Sequence, residues 1–409
     1  MTKQRRGGEG QALQLRYSAL QALWWAITCS CCGFAAIFLG SKGMSSTWIG
    51  IVTGGASICS IVLSQLFASL LQRIRVLDIP RMLSLLVGAT AASFLLISFL
   101  PVPQVVVGAL YLLVYAVLVA AVPFLAQLSM DYIREGASIN FGLARGCGSI
   151  SYATSAVVLS MLVEHLDSNI LSVVYLACSL LFLAVVNTMP PLAEREEKPE
   201  NPSSHSISTA QLIQKHPVLF SVLTGFMLCM IASTCLQIYL IDIVENVGGD
   251  TAMYGVAIFC MAASELPAMA IVPRLRRRLA TGTLFAVAGV AYLLRNLIVA
   301  FAPNVAFIFV GLAFQSASYG ILTSLLTYFI SEECGTEGEI RGQTLLAVMT
   351  TGIGSTVGTV AGGALQDAFG IMAMSLFAGA VTVVGSMMLV VLGLRDRKVH
   401  PARPRLPLK

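Results

Sequence analysis

The stretch that decides the fold runs from Met253 to Val272 and reads MYGVAIFCMAASELPAMAIV. It is apolar and long enough to cross a lipid bilayer as one helix, since about 20 residues span the hydrocarbon core. Glu265 nevertheless lies inside it, Arg295 lies inside the next apolar run, and Arg145 lies near the start of an earlier one. A charge at bilayer depth costs roughly 2.5–3.5 kcal/mol on insertion scales. Because such charges usually face an internal cavity and pair with one another, these three residues are the first candidates for a functional site.

The composition is typical of an integral membrane protein. Of the 409 residues, 57% are hydrophobic and only 11% are charged, which lies outside the range of soluble globular proteins. The net charge of +5 does not predict nucleic-acid binding, because the basic residues are spread among short loops and the two tails. Nine of the ten cysteines lie within apolar segments and lack the spacing of a metal site. No phosphate-binding loop or nucleophile motif is visible either, so we expect no metal, no cofactor and no enzyme activity.

Twelve segments are apolar enough to be membrane-spanning helices. They cover residues 15–39, 46–71, 80–100, 104–130, 139–164, 170–189, 217–245, 252–273, 280–301, 305–331, 341–366 and 370–393. Turn-forming residues separate them, as in Gly40-Ser-Lys-Gly43 and Pro101-Val-Pro103. The sequence therefore predicts an all-α integral membrane protein with twelve transmembrane helices.

The positions of lysine and arginine predict the orientation in the membrane. If the N-terminus is cytoplasmic, Lys42 alone of the 25 basic residues falls outside, and Arg145 and Arg295 fall within the membrane. The other 22 lie inside or at the inner boundary, an asymmetry that a wrong helix count would scramble. We therefore expect a multi-pass protein of the plasma (inner) membrane, with both termini in the cytoplasm.

One long polar connector, residues 192–216, divides the predicted spans into six and six. Its composition is typical of a flexible linker. We therefore expect an N-terminal six-helix bundle in residues 1–191, a cytoplasmic linker in 192–216, a C-terminal six-helix bundle in 217–394 and a basic cytoplasmic tail in 395–409.

The two halves of the chain also resemble each other weakly. The segment from Trp48 to Arg73 aligns with that from Met253 to Arg278 at a constant shift of 205 residues. Parallel repeats of six helices are typical of transporters whose two bundles are related by an axis along the membrane normal. In that design the substrate binds between the bundles near mid-membrane, and rocking exposes it to each side in turn.

Twelve spans in two sets of six resemble the major facilitator superfamily, and two short segments make the resemblance more specific. The segment Gly362-Gly-Ala-Leu-Gln-Asp-Ala-Phe-Gly370 is similar to a common pattern at the end of the eleventh span of that superfamily. The segment Ile139-Asn-Phe-Gly-Leu-Ala-Arg-Gly-Cys-Gly-Ser-Ile-Ser-Tyr152 resembles the lactose permease branch, the oligosaccharide:proton symporters. The resemblance implies the major facilitator fold and secondary active transport of a small polar solute.

The resemblance also implies roles for four residues. Arg145 matches the sugar-contacting arginine of that branch, and Tyr152 takes the position of the tryptophan that stacks on the sugar ring. Glu265, in Ala263-Ser-Glu-Leu-Pro267, corresponds to the sugar-binding glutamate. Arg295, in Leu294-Arg-Asn296, corresponds to the arginine tied to proton coupling.

This chain departs from the pattern of that branch in three places. The glutamate of the fourth span is Gln127 here, and the histidine and glutamate of the tenth span are Gln315 and Ser318. An aspartate–lysine pair between the seventh and tenth spans reads as Leu236 and Leu312, so both partners of a buried ion pair are lost together. The residue that the resemblance would name as proton carrier is therefore missing.

Helical spacing places further polar and aromatic side chains on the same helix faces as the charged residues. Arg145 and Tyr152 share a face of the fifth span, and Tyr292 and Arg295 share a face of the ninth. Rings, amides and guanidinium groups suit a sugar or nucleoside, because aromatic faces stack on the ring and fork-shaped donors bind hydroxyls. A mixed aromatic and polar stripe on the first span comprises Gln21, Trp24, Trp25 and Thr28. The predicted substrate-binding residues are Arg145, Tyr152, Glu265, Gln127, Gln237, Gln315, Trp24 and Tyr292.

Each of these residues also has a purely structural interpretation. Glu265 and Arg295 are alternatively an ion pair that clamps the eighth and ninth spans. Arg145 lies close enough to a helix end to extend to the cytoplasmic surface. Trp24 and Trp25 are alternatively packing residues.

Small and singly placed polar residues are weaker signals. Gly354, Gly358 and Gly362, at intervals of four in the eleventh span, predict a seam of close helix packing and not a site. Taken singly, Tyr292, Gln237, Gln315 and Ser318 also fit helix packing.

We expect transport to be coupled to protons. Glu265 is the acidic residue at mid-membrane, and none of the four histidines lies within a span. An apolar wall favours the protonated carboxyl, whereas a nearby arginine favours the charged one. The hypothesis is proton symport, with Glu265 as the carrier and Arg295 as the partner that resets it.

Other functions stay open. If Arg145, Arg295 and Glu265 are all ionised, the candidate site carries a net positive charge. This charge favours uptake of an organic or aromatic anion, and drug efflux is a further alternative within the transporter class. A non-transporting membrane sensor is the alternative from another class, although the short tails carry no signalling domain. The expected partners are a small-molecule substrate, protons and membrane lipids, with no nucleic acid, and we expect the chain to act as a monomer.

Overall fold

The computed structural model describes residues 2–74, 77–137, 139–191 and 209–399, apart from the side chains of residues 2–10, 209–210, 266–270, 273, 335–340 and 396–399. Most of the predicted linker and of the predicted basic tail falls outside these ranges. The last seven residues before His216 form a short helix.

The regular structure of the described residues is helical. The α-helices are α1 Thr2–Thr28, α2 Ala35–Ser41, α3 Ser46–Arg73, α4 Ile79–Phe99, α5 Gln104–Arg134, α6 Phe141–His165, α7 Ile170–Val186, α8 Thr209–Lys215, α9 Pro217–Ile238, α10 Leu240–Asn246, α11 Thr251–Arg278, α12 Thr281–Ala300, α13 Val305–Ala313, α14 Ile321–Ala347, α15 Ser355–Phe369 and α16 Ile371–Val399. Three π-helical turns lie between them, Cys29–Gly33, Ser316–Gly320 and Val348–Gly354.

Most of the predicted spans have the length and composition to cross a membrane. In the described part of the chain nine helices pass this test, and a pair bent by 50°, Gln11–Gly33 with Ala35–Ser41, makes ten. The other two predicted spans correspond to shorter apolar helices, Ile170–Val186 and Thr251–Glu265. The predicted all-α membrane class is therefore confirmed, and the count of twelve is plausible without being exact.

Side-chain caps explain where several of these helices begin. Ser45, Asp78, Asn140, Asp250 and Asn304 each accept a hydrogen bond from the backbone N–H three residues later. These residue types are the preferred N-caps, because their short side chains satisfy amides that have no partner within the helix. At these five positions a new helix therefore begins directly after the capping residue.

Several spans that the sequence presents as continuous are interrupted. The first contains the π-helical turn Cys29–Gly33, and the seventh breaks at Tyr239, between α9 and α10. The Tyr239 hydroxyl donates to the carbonyl of Thr359 at 2.9 Å. Hydropathy cannot detect these breaks, because the residues on both sides of each are apolar.

Residues 332–340, which separate the tenth and eleventh predicted spans, are helical, since α14 runs through them without a break. This stretch contains no proline and several glutamates, which are good helix formers. The polar composition of this stretch predicts a loop, but its glutamates favour helix, and the helix extends beyond the apolar span.

The chain divides into two units, residues 1–199 and 200–409. In the first unit α1 packs on α6 and α7, and α5 packs on α3 and α4. In the second unit α12 packs on α16, α9 packs on α15 and α16, and α11 packs on the turn Ser316–Gly320.

The glycine series of the eleventh span packs closely on α9, as predicted. A Cβ on Gly358 would overlap the carbonyl of Ile231, and a Cβ on Gly362 would overlap the Cys235 thiol. Only glycine allows the backbone of α15 to approach α9 this closely.

One rim of the second unit is held by contacts to two carboxylates. Arg276, at the end of α11, donates to Glu332 of α14 over 2.7 Å and lies 4.4 Å from the centre of the Tyr328 ring. His216 Nδ1, at the start of α9, lies 3.5 Å from Glu333 Oε2. Two neighbouring carboxylates therefore contact the ends of two different helices.

Candidate functional site

Glu265 lies half-buried on α11 and accepts a hydrogen bond from another element. The donor is Gln315 Nε2, at 2.7 Å from Glu265 Oε1. Gln315 is 6% exposed and directly precedes the π-helical turn Ser316–Gly320. The structure thus joins two residues that the sequence predicted for one site.

Arg295 lies on α12 and is only 2% exposed. Its Nη1 donates to Asn296 Oδ1 over 2.7 Å, and its Nη2 lies 3.8 Å from Met261 Sδ. Met261 is one turn before Glu265 on α11, and the electrostatic field of Glu265 reaches the guanidinium. We call Glu265, Met261, Gln315 and Arg295 the Glu265–Arg295 cluster.

Asn296 supports this cluster from behind. It is fully buried, and its Oδ1 also accepts from Ser233 Oγ of α9 at 3.2 Å. Its Nδ2 donates to Thr382 Oγ1 of α16 at 3.0 Å. One amide therefore ties three helices together and holds Arg295. Asn296 is not among the predicted site residues, although an amide beside a charge in an apolar run is a signal that could identify it.

Two polar atoms of the cluster are buried without a hydrogen-bond partner. They are Arg295 Nε, which can only donate, and Gln315 Oε1, which can only accept. Leaving such an atom unpaired costs about 1–3 kcal/mol, and buried polar atoms in native proteins usually have partners. A hydroxyl group can satisfy either atom, because it both accepts and donates hydrogen bonds.

Two other predicted residues of the second unit are Tyr292 and Gln237, and Ser318 is a further candidate from the sequence. Tyr292 is fully buried, and its hydroxyl lies 3.9 Å from Met230 Sδ. Ser318 lies inside the π-helical turn and donates to the carbonyl of Phe314 at 2.8 Å. Gln237 is half-buried near the end of α9. The hydroxyls of Tyr292 and Ser318 are thus engaged within the protein.

In the first unit Arg145 lies over an indole ring. Its guanidinium carbon is 4.2 Å from the centre of the Trp25 ring, and its Nη1 donates to Ser149 Oγ over 2.8 Å. Trp25 Nε1 donates to Gln21 Oε1 at 3.2 Å, and Gln21 Nε2 donates to Tyr17 Oη at 2.7 Å. A cation–π contact of this kind contributes roughly 0.5–2 kcal/mol, so Arg145 is held within its own unit.

Tyr152 completes this group. Its ring lies edge-on to Trp25, with centroids 6.1 Å apart and planes at 75°. Gly148 lies between Arg145 and Tyr152 on α6, and a Cβ there would overlap the Trp25 ring. A Cβ on Gly33 would lie 3.1 Å from the Tyr152 hydroxyl. We call Arg145, Trp25 and Tyr152 the Arg145–Trp25 cluster.

Trp24, predicted as a substrate-binding residue, lies in the interior of the first unit. It is fully buried, and its ring packs on Phe182 of α7 with centroids 5.6 Å apart. Because α7 covers this ring, the neighbouring Trp25 is the indole that meets Arg145. Gln127 is half-buried on α5.

The chemistry of both clusters is that of binding. They offer aromatic faces, amides, a carboxylate and guanidinium groups, which recognise hydroxyl and carboxylate groups of small molecules. Within the described residues, no group of three or more His, Cys, Asp or Glu side chains is placed to hold a metal ion.

Sequence comparison relates this chain to known transporters. The model of the MFS_1 like family matches residues 14–377. A maltose permease from Geobacillus stearothermophilus is 24% identical over 322 residues, which cover 76% of this chain and 79% of that protein.

Solved structures share the fold at low identity. A mutant of the nucleoside transporter NupG has a TM-score of 0.78 at 14% identity, covering 94% of this chain and 99% of its own. A bacterial homologue of the human lysosomal transporter Spinster, solved inward-facing and unoccupied, has a TM-score of 0.64 at 11% identity, covering 94% of this chain and 95% of its own. At these identities the similarity concerns the fold.

Proposed function

The chain belongs to the MFS_1 like family, whose model covers residues 14–377, and from this premise we propose that its substrate is a neutral, hydroxyl-rich molecule taken up with protons. As a member of the major facilitator superfamily it is a multi-pass membrane transporter of a solute, and it is not an enzyme. The substrate class is a sugar, an oligosaccharide or a nucleoside. Transport proceeds by alternating access.

The unsatisfied pair of atoms in the Glu265–Arg295 cluster is the observation that carries the proposal. Gln315 Oε1 needs a donor and Arg295 Nε needs an acceptor. Hydroxyl groups supply both a donor and an acceptor, whereas a carboxylate cannot donate to Gln315 and would lie near the like charge of Glu265. The cluster therefore favours neutral hydroxyls over anions.

The relatives support the same substrate class. One is named a maltose permease and the other a nucleoside transporter, and maltose and nucleosides both contain a sugar ring. We propose that Gln315, Arg295 and Glu265 bind substrate hydroxyls within the second unit.

Glu265 is the proposed proton carrier. Its carboxyl is half-buried on α11 and accepts a hydrogen bond from Gln315. The protein acts as a monomer in the plasma membrane, with both termini cytoplasmic. Protonation of Glu265 removes the only negative charge of the cluster, so its binding and release of a proton alter how the cluster holds a substrate.

Uptake into proteoliposomes tests this proposal. Purified protein is reconstituted, a pH gradient is imposed, and accumulation of labelled maltose and labelled nucleosides is measured. We expect Glu265→Gln to abolish accumulation above equilibrium while leaving exchange of substrate. Glu245→Gln, which changes an exposed carboxyl at the end of α10, is the matched control and should accumulate substrate normally. Gradient-driven accumulation by Glu265→Gln would remove Glu265 as the carrier.

A second candidate is an organic anion, which the Arg145–Trp25 cluster favours. Its guanidinium is stacked on an indole beside a tyrosine, an arrangement that suits an aromatic carboxylate. Competition separates the candidates: sugars and nucleosides should inhibit uptake under the first, and aromatic carboxylates under the second.

A further inference from the structure

The second unit contains a cavity of about 600 Å³ that is separate from the Glu265–Arg295 cluster. It lies where α10, the end of α12 and the junction of α15 with α16 meet. Small-molecule sites typically have volumes of about 300–1,000 Å³. The space is thus large enough for a ligand, and far larger than a single water molecule requires.

The lining of this cavity combines apolar side chains with three polar ones, those of Asn246, Gln366 and Ser375. Among the described residues, those that line it are uncharged, and they include Phe301, Phe369 and Met372. Phe369 and Met372 are 75% and 64% exposed, so the apolar wall continues to the surface. A ligand that fits this wall has an apolar part that can extend beyond the cavity, and it carries no net charge.

Ser375 supplies the first polar group of the cavity. It is 1% exposed, and its Oγ has no hydrogen-bond partner. Serine and threonine in helices commonly donate to the carbonyl one turn earlier, as Thr382 of the same helix does to Ala378. Ser375 does not, so its hydroxyl is available to a group in the cavity that it lines.

Gln366 supplies the second polar group. Its Nε2 donates to Asp242 Oδ2 over 2.6 Å, whereas its Oε1 is buried without a partner. The aspartate fixes the orientation of the amide, because a carboxylate accepts from the nitrogen and cannot pair with the oxygen. Gln366 therefore presents an acceptor, and a ligand must bring a donor.

We propose that this cavity is a second binding site, for a neutral amphiphile with a hydroxyl head group and an aliphatic tail. The hydroxyl donates to Gln366 Oε1 and accepts from Ser375 Oγ, and the tail lies along Phe301 and Met372. Uncharged lipids of the monoacylglycerol type and free long-chain alcohols share this chemistry.

Thermal unfolding of the purified full chain tests the site directly. The chain is kept in an amine-oxide detergent without hydroxyl groups, and monooleoylglycerol, dodecanol or methyl oleate is added. We expect a hydroxyl-bearing compound to raise the melting temperature, and methyl oleate, which has a similar tail but no donor, to leave it unchanged. Stabilisation by monooleoylglycerol alone identifies a lipid ligand, and stabilisation by dodecanol alone identifies a free alcohol. Equal stabilisation by methyl oleate would overturn the proposal.

Variants separate the cavity from unspecific binding of amphiphiles. Ser375→Ala should weaken the apparent affinity roughly three- to tenfold, the effect of one lost hydrogen bond. Ser179→Ala removes an equally buried and unpartnered hydroxyl in the first unit and should bind normally. Ala302→Phe fills the cavity from another side, so it keeps the test decisive if Ser375→Ala folds poorly. Wild-type affinity in both cavity variants would show that the amphiphile binds elsewhere. None of these variants changes the Glu265–Arg295 cluster, so substrate uptake is measured independently.

Discussion

Asn296 determines where the guanidinium of Arg295 lies, because it accepts the hydrogen bond from Nη1 and is itself held by Ser233 and Thr382. We predict that Asn296→Leu abolishes uptake and lowers the free energy of unfolding by about 1–3 kcal/mol, since it leaves buried polar groups unpaired. Uptake in proteoliposomes and thermal unfolding measure the two effects.

The conservative variant distinguishes positioning from stability. Asn296→Asp keeps an acceptor for Arg295 while losing the donor to Thr382. It should recover part of the uptake even where its melting temperature stays low. If uptake followed stability alone across both variants, Asn296 would have no role in positioning Arg295.

Trp25 lies under the guanidinium of Arg145, and this contact leads to a second prediction. Trp25→Ala removes the ring under Arg145 and should weaken substrate binding roughly three- to thirtyfold, from the strength of a cation–π contact. Trp25→Phe keeps a ring and should retain most of the affinity. Trp48→Phe, at a half-exposed position of α3, is the control, and isothermal titration with the transported substrate is the measurement. A normal affinity of Trp25→Ala would exclude this ring from the binding site.

At the residue scale the sequence identifies the charged candidates for a site, but it does not predict which residues they contact. Glu265, Arg295 and Arg145 are conspicuous because a charge in an apolar run needs a reason. Asn296 and Trp25 become important only through packing, because neighbouring positions on a helix point in different directions. Helical periodicity could not decide whether Trp24 or Trp25 faces Arg145.

Among the elements, the contact between α15 and α9 depends on the absence of side chains. Gly358→Ala places a methyl group against the carbonyl of Ile231, and we predict a loss of about 1–3 kcal/mol in the free energy of unfolding, as for other overpacked sites. Gly88→Ala is the matched control: it also lies in a helix, but a Cβ there meets nothing within 4 Å. It should be neutral or slightly stabilising.

Chemical or thermal unfolding of the two glycine variants measures this difference. Equal stability of both would mean that α15 and α9 have room for a methyl group. In that case the seam would not require glycine.

The positions of the spans follow from the sequence, but their interruptions do not. Apolar length and the capping residues mark the helices, because both are local properties of the chain. The π-helical turns and the break at Tyr239 depend on contacts between helices, such as the bond from Tyr239 to Thr359. Gln315 directly precedes one of these turns, so its contact with Glu265 depends on a feature that hydropathy cannot predict.

For the whole molecule, the charge asymmetry predicts the orientation in the membrane. Glu245 and Glu135 are both exposed, and they lie at opposite predicted sides. We expect Glu245→Cys to react with a membrane-impermeant maleimide in intact cells, and Glu135→Cys to react only after the membrane is opened. The wild-type chain is measured alongside, because its ten cysteines set the background. The reverse pattern would invert the topology.

The membrane class and the family were predictable at the scale of the whole molecule. Composition, the lengths of the apolar segments and the division into two sets of six are all read directly from the sequence. Substrate chemistry was not, because it depends on single atoms such as Gln315 Oε1 and Arg295 Nε. The sequence left sugars and anions both open. The proposal for a neutral substrate depends on two unpaired atoms that only coordinates reveal.

The carboxylates of Glu332 and Glu333 give the second unit a dependence on ionic strength. They contact Arg276 of α11 and His216 of α9 at one rim, while the packing around Gly358 and Asn296 is uncharged or fully buried. The Debye length falls from about 8–10 Å at physiological salt to about 3 Å at 1 M, so concentrated salt weakens even short, partly exposed contacts between charges and leaves apolar contacts intact. Concentrated salt should therefore loosen this rim before any other part of the unit, and the order of loosening can be followed by hydrogen exchange.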